Sequence, residues 1–236
     1  MIAGFSKATT LYLAPVLALT ATILSLFAFL APTLLLHDRV ALLTVTPSTT
    51  LSQPGPSKSI DGPSVFIGIL GSCSRSNNND TVTCTAPALA PEYALGVLPE
   101  NAPRLLLSAP SAAAPGLIAV ALAFSVVFLV TFTLISFRHK MPGKASSVFD
   151  APHLQNASAW IGVFGFMIGF TAFLIIRMWF GKTVKDFNAM ILEQGQQGPQ
   201  LVAEIGNAFV MVYVAYAFFA VPIISSLTKL NVKLSK

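Results

Sequence analysis

Four long apolar runs divide the chain: residues 11–36, 113–137, 159–180 and 205–227. None contains an acidic residue or a lysine, and Arg177 is the single charge within them. A helix rises about 1.5 Å per residue, so each run reaches the roughly 30 Å of a hydrocarbon core. The first run carries Pro15 and Pro32. It is far longer than the roughly 7–15 apolar residues of a cleaved signal peptide, and it reads as a span. The pattern predicts four transmembrane helices.

Between the first two runs, residues 37–112 are too rich in Pro and Ser to cross a membrane. Three short stretches there, 40–46, 64–70 and 81–85, combine β-branched and apolar residues between Pro, Gly and Asn clusters. That bias predicts strands, assembled as a small antiparallel sheet. The stretch 46–63 is poor in apolar residues and reads as an excursion between strands. After the third run, Val184, Phe187 and Ile191 keep a spacing of three and four. The third helix is therefore expected to protrude two or three turns and to stop at Gly195. The expected fold class is an all-α membrane four-helix bundle with a small extracytoplasmic β-sheet domain.

Composition supports this reading. Of 236 residues, 54% are apolar and only 10% charged, against about 25% charged in a soluble domain. The net charge of +5 is dispersed, with no Lys/Arg block dense enough to track a phosphate backbone, so no nucleic-acid partner is expected. Charge placement sets the orientation. With both termini cytoplasmic, the segments 1–10, 138–158 and 228–236 carry net +6, while 37–112, 181–204 and Arg177 carry net −1. Both termini inside is the orientation that agrees with the positive-inside rule. Arg138, His139, Lys140 and Lys144 then lie beside anionic inner-leaflet lipid.

Several residues are candidates for a role. Trp160 and Trp179 stand 19 residues apart in the third run, a separation of about 29 Å that suits two membrane-interface anchors. Arg177 near the same end can snorkel to the interface. Gly162, Gly165 and Gly169 form a small-residue stripe, expected to serve packing inside the bundle ahead of self-association. Tyr213, Tyr216 and Asn207 in the fourth run are expected to face the bundle and find polar partners. Cys73 and Cys84 either bridge or stand as free thiols. On an oxidising side the bridge is expected, closing 12 residues for about 3 kcal/mol. Asn79-Asp80-Thr81 is a glycosylation sequon in a polar turn, and Asn156-Ala157-Ser158 is a second match beside the third run. His139 and His153 lack the Cys or carboxylate spacing of a metal site, and no catalytic set is visible. Neither cofactor nor metal is expected, nor is an enzyme.

The run Gly68-Ile69-Leu70-Gly71-Ser72-Cys73, followed by Cys84, resembles the Gly-apolar-apolar-Gly-x-Cys…Cys signature of the SUR-seven/PalI family of fungal tetraspan proteins. That family belongs to the wider claudin-like group. Phe187-Asn188, Asn207-Ala208-Phe209 and Ala215-Tyr216-Ala217-Phe218 are similar to features of the same family. The order of elements fits as well, although the first loop has no Trp where claudins proper carry one. The resemblance implies a claudin-like tetraspan in the plasma membrane, organising cortical, eisosome-like patches. Its expected partners are membrane lipids and other membrane or cortical-patch proteins, self-association among them. Alternatives within the resemblance are an accessory role in ambient-pH signalling and a regulator of mating fusion and calcium influx.

The two sequons give opposite expectations. An endoglycosidase-sensitive mobility shift is expected on Asn79 and is lost in Asn79→Gln. Asn156 should carry no sugar, and a glycan found there overturns the orientation.

Overall fold

In the computed structural model, residues 12–48, 61–103, 113–140, 142, 148–149 and 151–234 are described. The N-terminal segment 1–10, most of the excursion 46–63 and Lys144 lie outside them. The helices are α1 (Ala14–Leu30), α2 (Ala113–Phe137), α3 (Pro152–Gln194) and α4 (Ala208–Leu234). The strands are β1 (Leu43–Pro47), β2 (Ser64–Ile67), β3 (Ser72–Arg75), β4 (Thr83–Cys84) and β5 (Leu201–Ile205). The chain divides into two compact units. One comprises Met1–Leu26, Leu117–Ala172 and Met211–Lys236, the other Phe27–Gly116 and Phe173–Val210.

The first unit is a four-helix bundle. Ala14 and Ala21 of α1, Phe128 and Phe132 of α2, and Phe219 and Ile223 of α4 form one buried cluster, against which Ile161, Val163 and Phe166 of α3 pack. Phe128 stacks on Phe132 and meets Phe219 edge-on, both at 5.3 Å between ring centroids. Such pairs contribute about 0.5–1.5 kcal/mol each beyond the area they bury. The outward side chains remain apolar: Val126, Val130, Phe164, Met167 and Ile224 are all exposed. A bundle greasy inside and out belongs in lipid.

Three helices are long and apolar enough to cross a membrane, and the chain is a multi-pass membrane protein. α1 has 17 residues, about 26 Å, slightly short of the hydrocarbon thickness. Pro32 ends it early, because a proline just past the helix cannot continue the hydrogen-bond ladder. The apolar turn that follows, with Leu34, Leu35 and Leu36 exposed, extends the greasy surface. Its backbone is satisfied internally: Ala31 donates to Phe27, Leu34 to Leu30, and both Arg39 and Val40 to Leu36. Leu36 sits at φ 57°, a conformation bulky side chains rarely adopt. α3 has 43 residues, about 65 Å, roughly twice what lipid can cover. It begins at Pro152, so residues 152–158 are helical where the sequence reading had a loop. It ends before Gly195, which takes φ 57°, the left-handed conformation glycine adopts freely.

The second unit holds an open antiparallel sheet in the order β4-β3-β2-β1-β5. Its open edges suit an extramembrane position, since unpaired strand edges are not tolerated in lipid. Opposed residues share a face. On one face Leu43, Val45, Val65 and Ile67 are fully buried, each contributing about 1.5–3 kcal/mol. The other face carries the row Glu204–Thr44–Phe66–Cys73–Cys84 across all five strands. Ser64 Oγ, Arg75 Nε and Glu204 Oε1 on that side are buried without a hydrogen-bond partner among the described residues. That face also holds a smaller buried cluster of Ala41, Phe66 and Cys73, with Val82 packed against it.

Two strands differ from the sequence reading. β3 is Ser-Cys-Ser-Arg, with no β-branched residue, and exists because it pairs along its length with β2. β5 pairs five residues with β1, and α4 starts at Ala208 rather than at residue 205. The outer edge of β5 is closed by α3. The Asn188 side chain donates to the Ala203 carbonyl and accepts from the Ala203 amide, both at 2.9 Å. One carboxamide thus imitates a neighbouring strand at one residue.

Asn188→Ala removes both bonds. Local opening of β5 is expected to become about 1–3 kcal/mol easier, measured as faster amide hydrogen exchange at Ala203 in the detergent-solubilised chain. Unchanged protection there would show that the edge needs no closure.

Candidate functional site

The residues of the Gly-x-x-Gly-x-Cys run converge on one place in the second unit. Gly68 and Gly71 flank the turn between β2 and β3, and Gly68 N–H donates to Gly71 C=O at 2.8 Å. The apolar tip, Ile69 and Leu70, is buried. A Cβ on Gly68 would overlap the Ala31 carbonyl oxygen and the Pro32 ring. One on Gly71 would overlap the Thr85 hydroxyl and lie 2.9 Å from the Thr33 methyl. Only glycine lets the hairpin seat against the turn that follows α1. The remaining polar groups are matched. Ser72 N–H donates to Thr85 Oγ1, Ala94 N–H to Ser72 Oγ, and the Tyr93 hydroxyl to the Gly68 carbonyl at 3.4 Å. Burial raises the Tyr93 hydroxyl above the ordinary phenol range, which keeps its proton available for that bond.

Cys73 and Cys84 form a disulfide, S–S 2.06 Å, between directly opposed residues of β3 and β4. Cys73 is wholly buried and Cys84 exposed. The bridge fastens a two-residue edge strand that backbone pairing alone would hold weakly. His37 lies beside it, with Nδ1 at 3.5 Å from Cys84 Sγ. The same Nδ1 is 2.7 Å from the Pro32 carbonyl. A carbonyl only accepts, so Nδ1 carries the proton and Nε2 the lone pair. The sequence reading singled out the cysteines but not this histidine. The 35 residues between His37 and Cys73 carry no spacing pattern that could signal the contact.

In the first unit the glycine stripe is spent inside the bundle. A Cβ on Gly162 would come within 2.6 Å of the Phe128 ring, one on Gly165 within 3.0 Å of Phe124 Cβ, and one on Gly169 within 2.8 Å of Ala121 Cβ. Gly169 also faces the Tyr216 hydroxyl, closely enough that a methyl there would overlap it. Tyr216 is buried, with its ring 5.4 Å from both Phe166 and Phe170. Tyr213 is 40% exposed, a correction to the expectation that it faces the bundle. It stands three residues before Tyr216, offset by about 60° around the helix, which leaves it at the margin of the packed face and partly exposed.

The other candidates occupy separate places. Trp160 and Trp179 are exposed, at 52% and 44%. Arg177 is held within its unit, its guanidinium 5.5 Å from the centre of the Phe209 ring. Asn207 accepts from the Ala41 amide and donates to the Arg39 carbonyl, tying the start of α4 to the strand domain. Asn79 is exposed in the turn between β3 and β4. Asn156 lies on α3, where Ser158 of the same triplet is buried and 2.8 Å from Thr131. The helix gives a second reason, independent of sidedness, for Asn156 to stay unmodified. No protein-family model matches this chain, and no curated protein matches it.

Gly169→Ala is expected to destabilise the bundle by about 1–3 kcal/mol through overpacking, measured by thermal unfolding in detergent. Tyr216→Phe, which removes the overlapped oxygen, should recover part of that loss in the double variant. Gly116→Ala, with open space around it, serves as the control. Equal stability of Gly169→Ala and the parent would mean the stripe is not a close contact.

Proposed function

We propose that this protein is a non-enzymatic organiser of the plasma membrane, a claudin-like tetraspan that gathers laterally into cortical, eisosome-like domains of a fungal cell. The observation that carries the reading is how the bundle spends its side chains. Its centre is filled by Phe128, Phe132, Phe219 and Tyr216, a packed core in place of a hydrated path. Its glycines are used inside, against Phe124, Phe128 and Tyr216. The outward surface presents adaptable apolar groups such as Met167, together with Phe164 and Ile224, and such surfaces make lateral contacts with lipid or another bundle. The resemblance of Gly68, Gly71, Cys73 and Cys84 to the SUR-seven/PalI signature supplies the class of membrane domain. On this reading the sheet lies outside the cell, the termini inside, and Arg138 and Lys140 meet anionic lipid.

Fluorescent fusions test it. A tagged copy expressed in a fungal cell is expected to sit in discrete, immobile surface patches. An even distribution over the surface, or retention in internal membranes, would sink the proposal.

A further inference from the structure

The first unit carries seven Lys and Arg residues against one acid, Asp150, which lies outside the described residues. Its cations therefore need an anion from elsewhere. We propose that Tyr12, Phe137 and Lys140, where the start of α1 meets the end of α2, bind the phosphoryl group of an anionic phospholipid, with an acyl chain lying along α1. The inference deepens the organiser reading by naming a lipid the protein holds, and its inner-leaflet placement rests on that reading.

Lys140 is exposed but held. Its Nζ lies 5.6 Å from the centre of the Tyr12 ring and 5.8 Å from that of Phe137, and the two rings meet edge-on at 6.1 Å. Two aromatic rings attract the ammonium and order its long stem, so less freedom is lost when a ligand arrives. Nζ also donates to the Tyr12 hydroxyl oxygen at 3.4 Å. Two ammonium protons and the phenol proton then remain for an acceptor, and a phosphoryl group offers several oxygens at once. Arg138 is turned back on its own helix end, donating to the Ile135 carbonyl, which leaves Lys140 as the outward cation. The positive end of α1, a 17-residue helix, begins two residues after Tyr12 and adds to the field.

The surface beside this cluster suits a lipid tail. Tyr12, Val16, Leu19 and Ile23 follow at spacings of four, three and four and are all exposed, so they form one stripe along α1. From residue 12 to residue 23 the helix rises about 16 Å, close to half of a roughly 30 Å hydrocarbon core and so to the depth of one leaflet. Phosphoryl donors at the head of a leaflet-deep apolar stripe match the two parts of one phospholipid. A free phosphate would use the donors and leave the stripe idle.

The test reconstitutes the full chain in phosphatidylcholine bilayers with trace spin-labelled phosphatidic acid or phosphatidylcholine, and reads relative association from the motionally restricted fraction of the electron spin resonance spectrum. The parent is expected to select phosphatidic acid several-fold. Lys140→Gln should lower that selectivity about fivefold, and Tyr12→Leu should lower it as well. Lys140→Arg, whose guanidinium also stacks on aromatic rings, should retain it. Lys233→Gln removes the same charge from another cytoplasmic position and should leave it unchanged. Equal losses in Lys140→Gln and Lys233→Gln would show diffuse charge and overturn the site. Displacement of the labelled lipid by soluble glycerol phosphate would overturn the lipid as its occupant. The assay needs no surface patches: lost selectivity in a chain that still forms patches sinks this inference alone, and retained selectivity without patches sinks only the organiser reading.

Discussion

Lipid offers no hydrogen bonds, and the arrangement of polar groups in this chain follows from that. A helix hydroxyl is stabilised by a match within the protein, because an unpaired one in hydrocarbon costs several kcal/mol; among the described residues Ser136 of α2 is a buried exception. Thr22, Ser125 and Thr133 each return their proton to the carbonyl four residues earlier. Thr131 does the same and also meets Ser158 of the neighbouring helix at 2.8 Å. The hydroxyls therefore leave the helices largely apolar on their surfaces, and the Thr131–Ser158 pair links two of them. Packing of Phe, Ala and Gly supplies most of the association, as expected where the solvent is itself oily.

The same constraint explains why an open sheet belongs outside lipid. A five-stranded open sheet has two edges, and the chain manages them differently. The β5 edge is met by Asn188, a side chain from the C-terminal part of α3. The β4 edge is only two residues long, and its partner strand holds it by a covalent bond. A short edge and a closed edge are two ways to deny a foreign strand its template. Both depend on residues far apart in sequence, and neither is a property of the strand concerned.

That distinction marks what the sequence made legible. The helices were readable because lipid demands a long uninterrupted apolar run, and the bonds within a helix are local. The strands at β1 and β2 were readable from Val45, Val65, Phe66 and Ile67, whose side chains fit a buried pleat. β3 was not, because its Ser and Cys residues become strand only through pairing with β2. β5 was absorbed into the neighbouring loop, since Leu201-Val202-Ala203-Glu204-Ile205 is an apolar run too short to decide between helix and strand. Among site residues, the cysteines and glycines carried a visible pattern. His37 and Asn188 did not, because their partners lie across the fold.

The glycine-cysteine run gains a physical meaning from this. Pro32 ends α1 and has no amide proton to offer, while its carbonyl is left without a helical partner. His37 satisfies that carbonyl, and the Ala31 carbonyl and Pro32 ring are covered by the backbone at Gly68. A side chain at position 68 would hold the β2–β3 hairpin away and expose the helix end it covers. Cys73 lies five residues on and ties the far strand of that hairpin to β4. The two halves of the run thus act on two joints of one unit, glycine where backbones must touch and cysteine where an edge must not fray. Their spacing follows from the turn and the pairing register: Gly68 and Gly71 flank a two-residue tip, and Cys73 is the second residue of the returning strand.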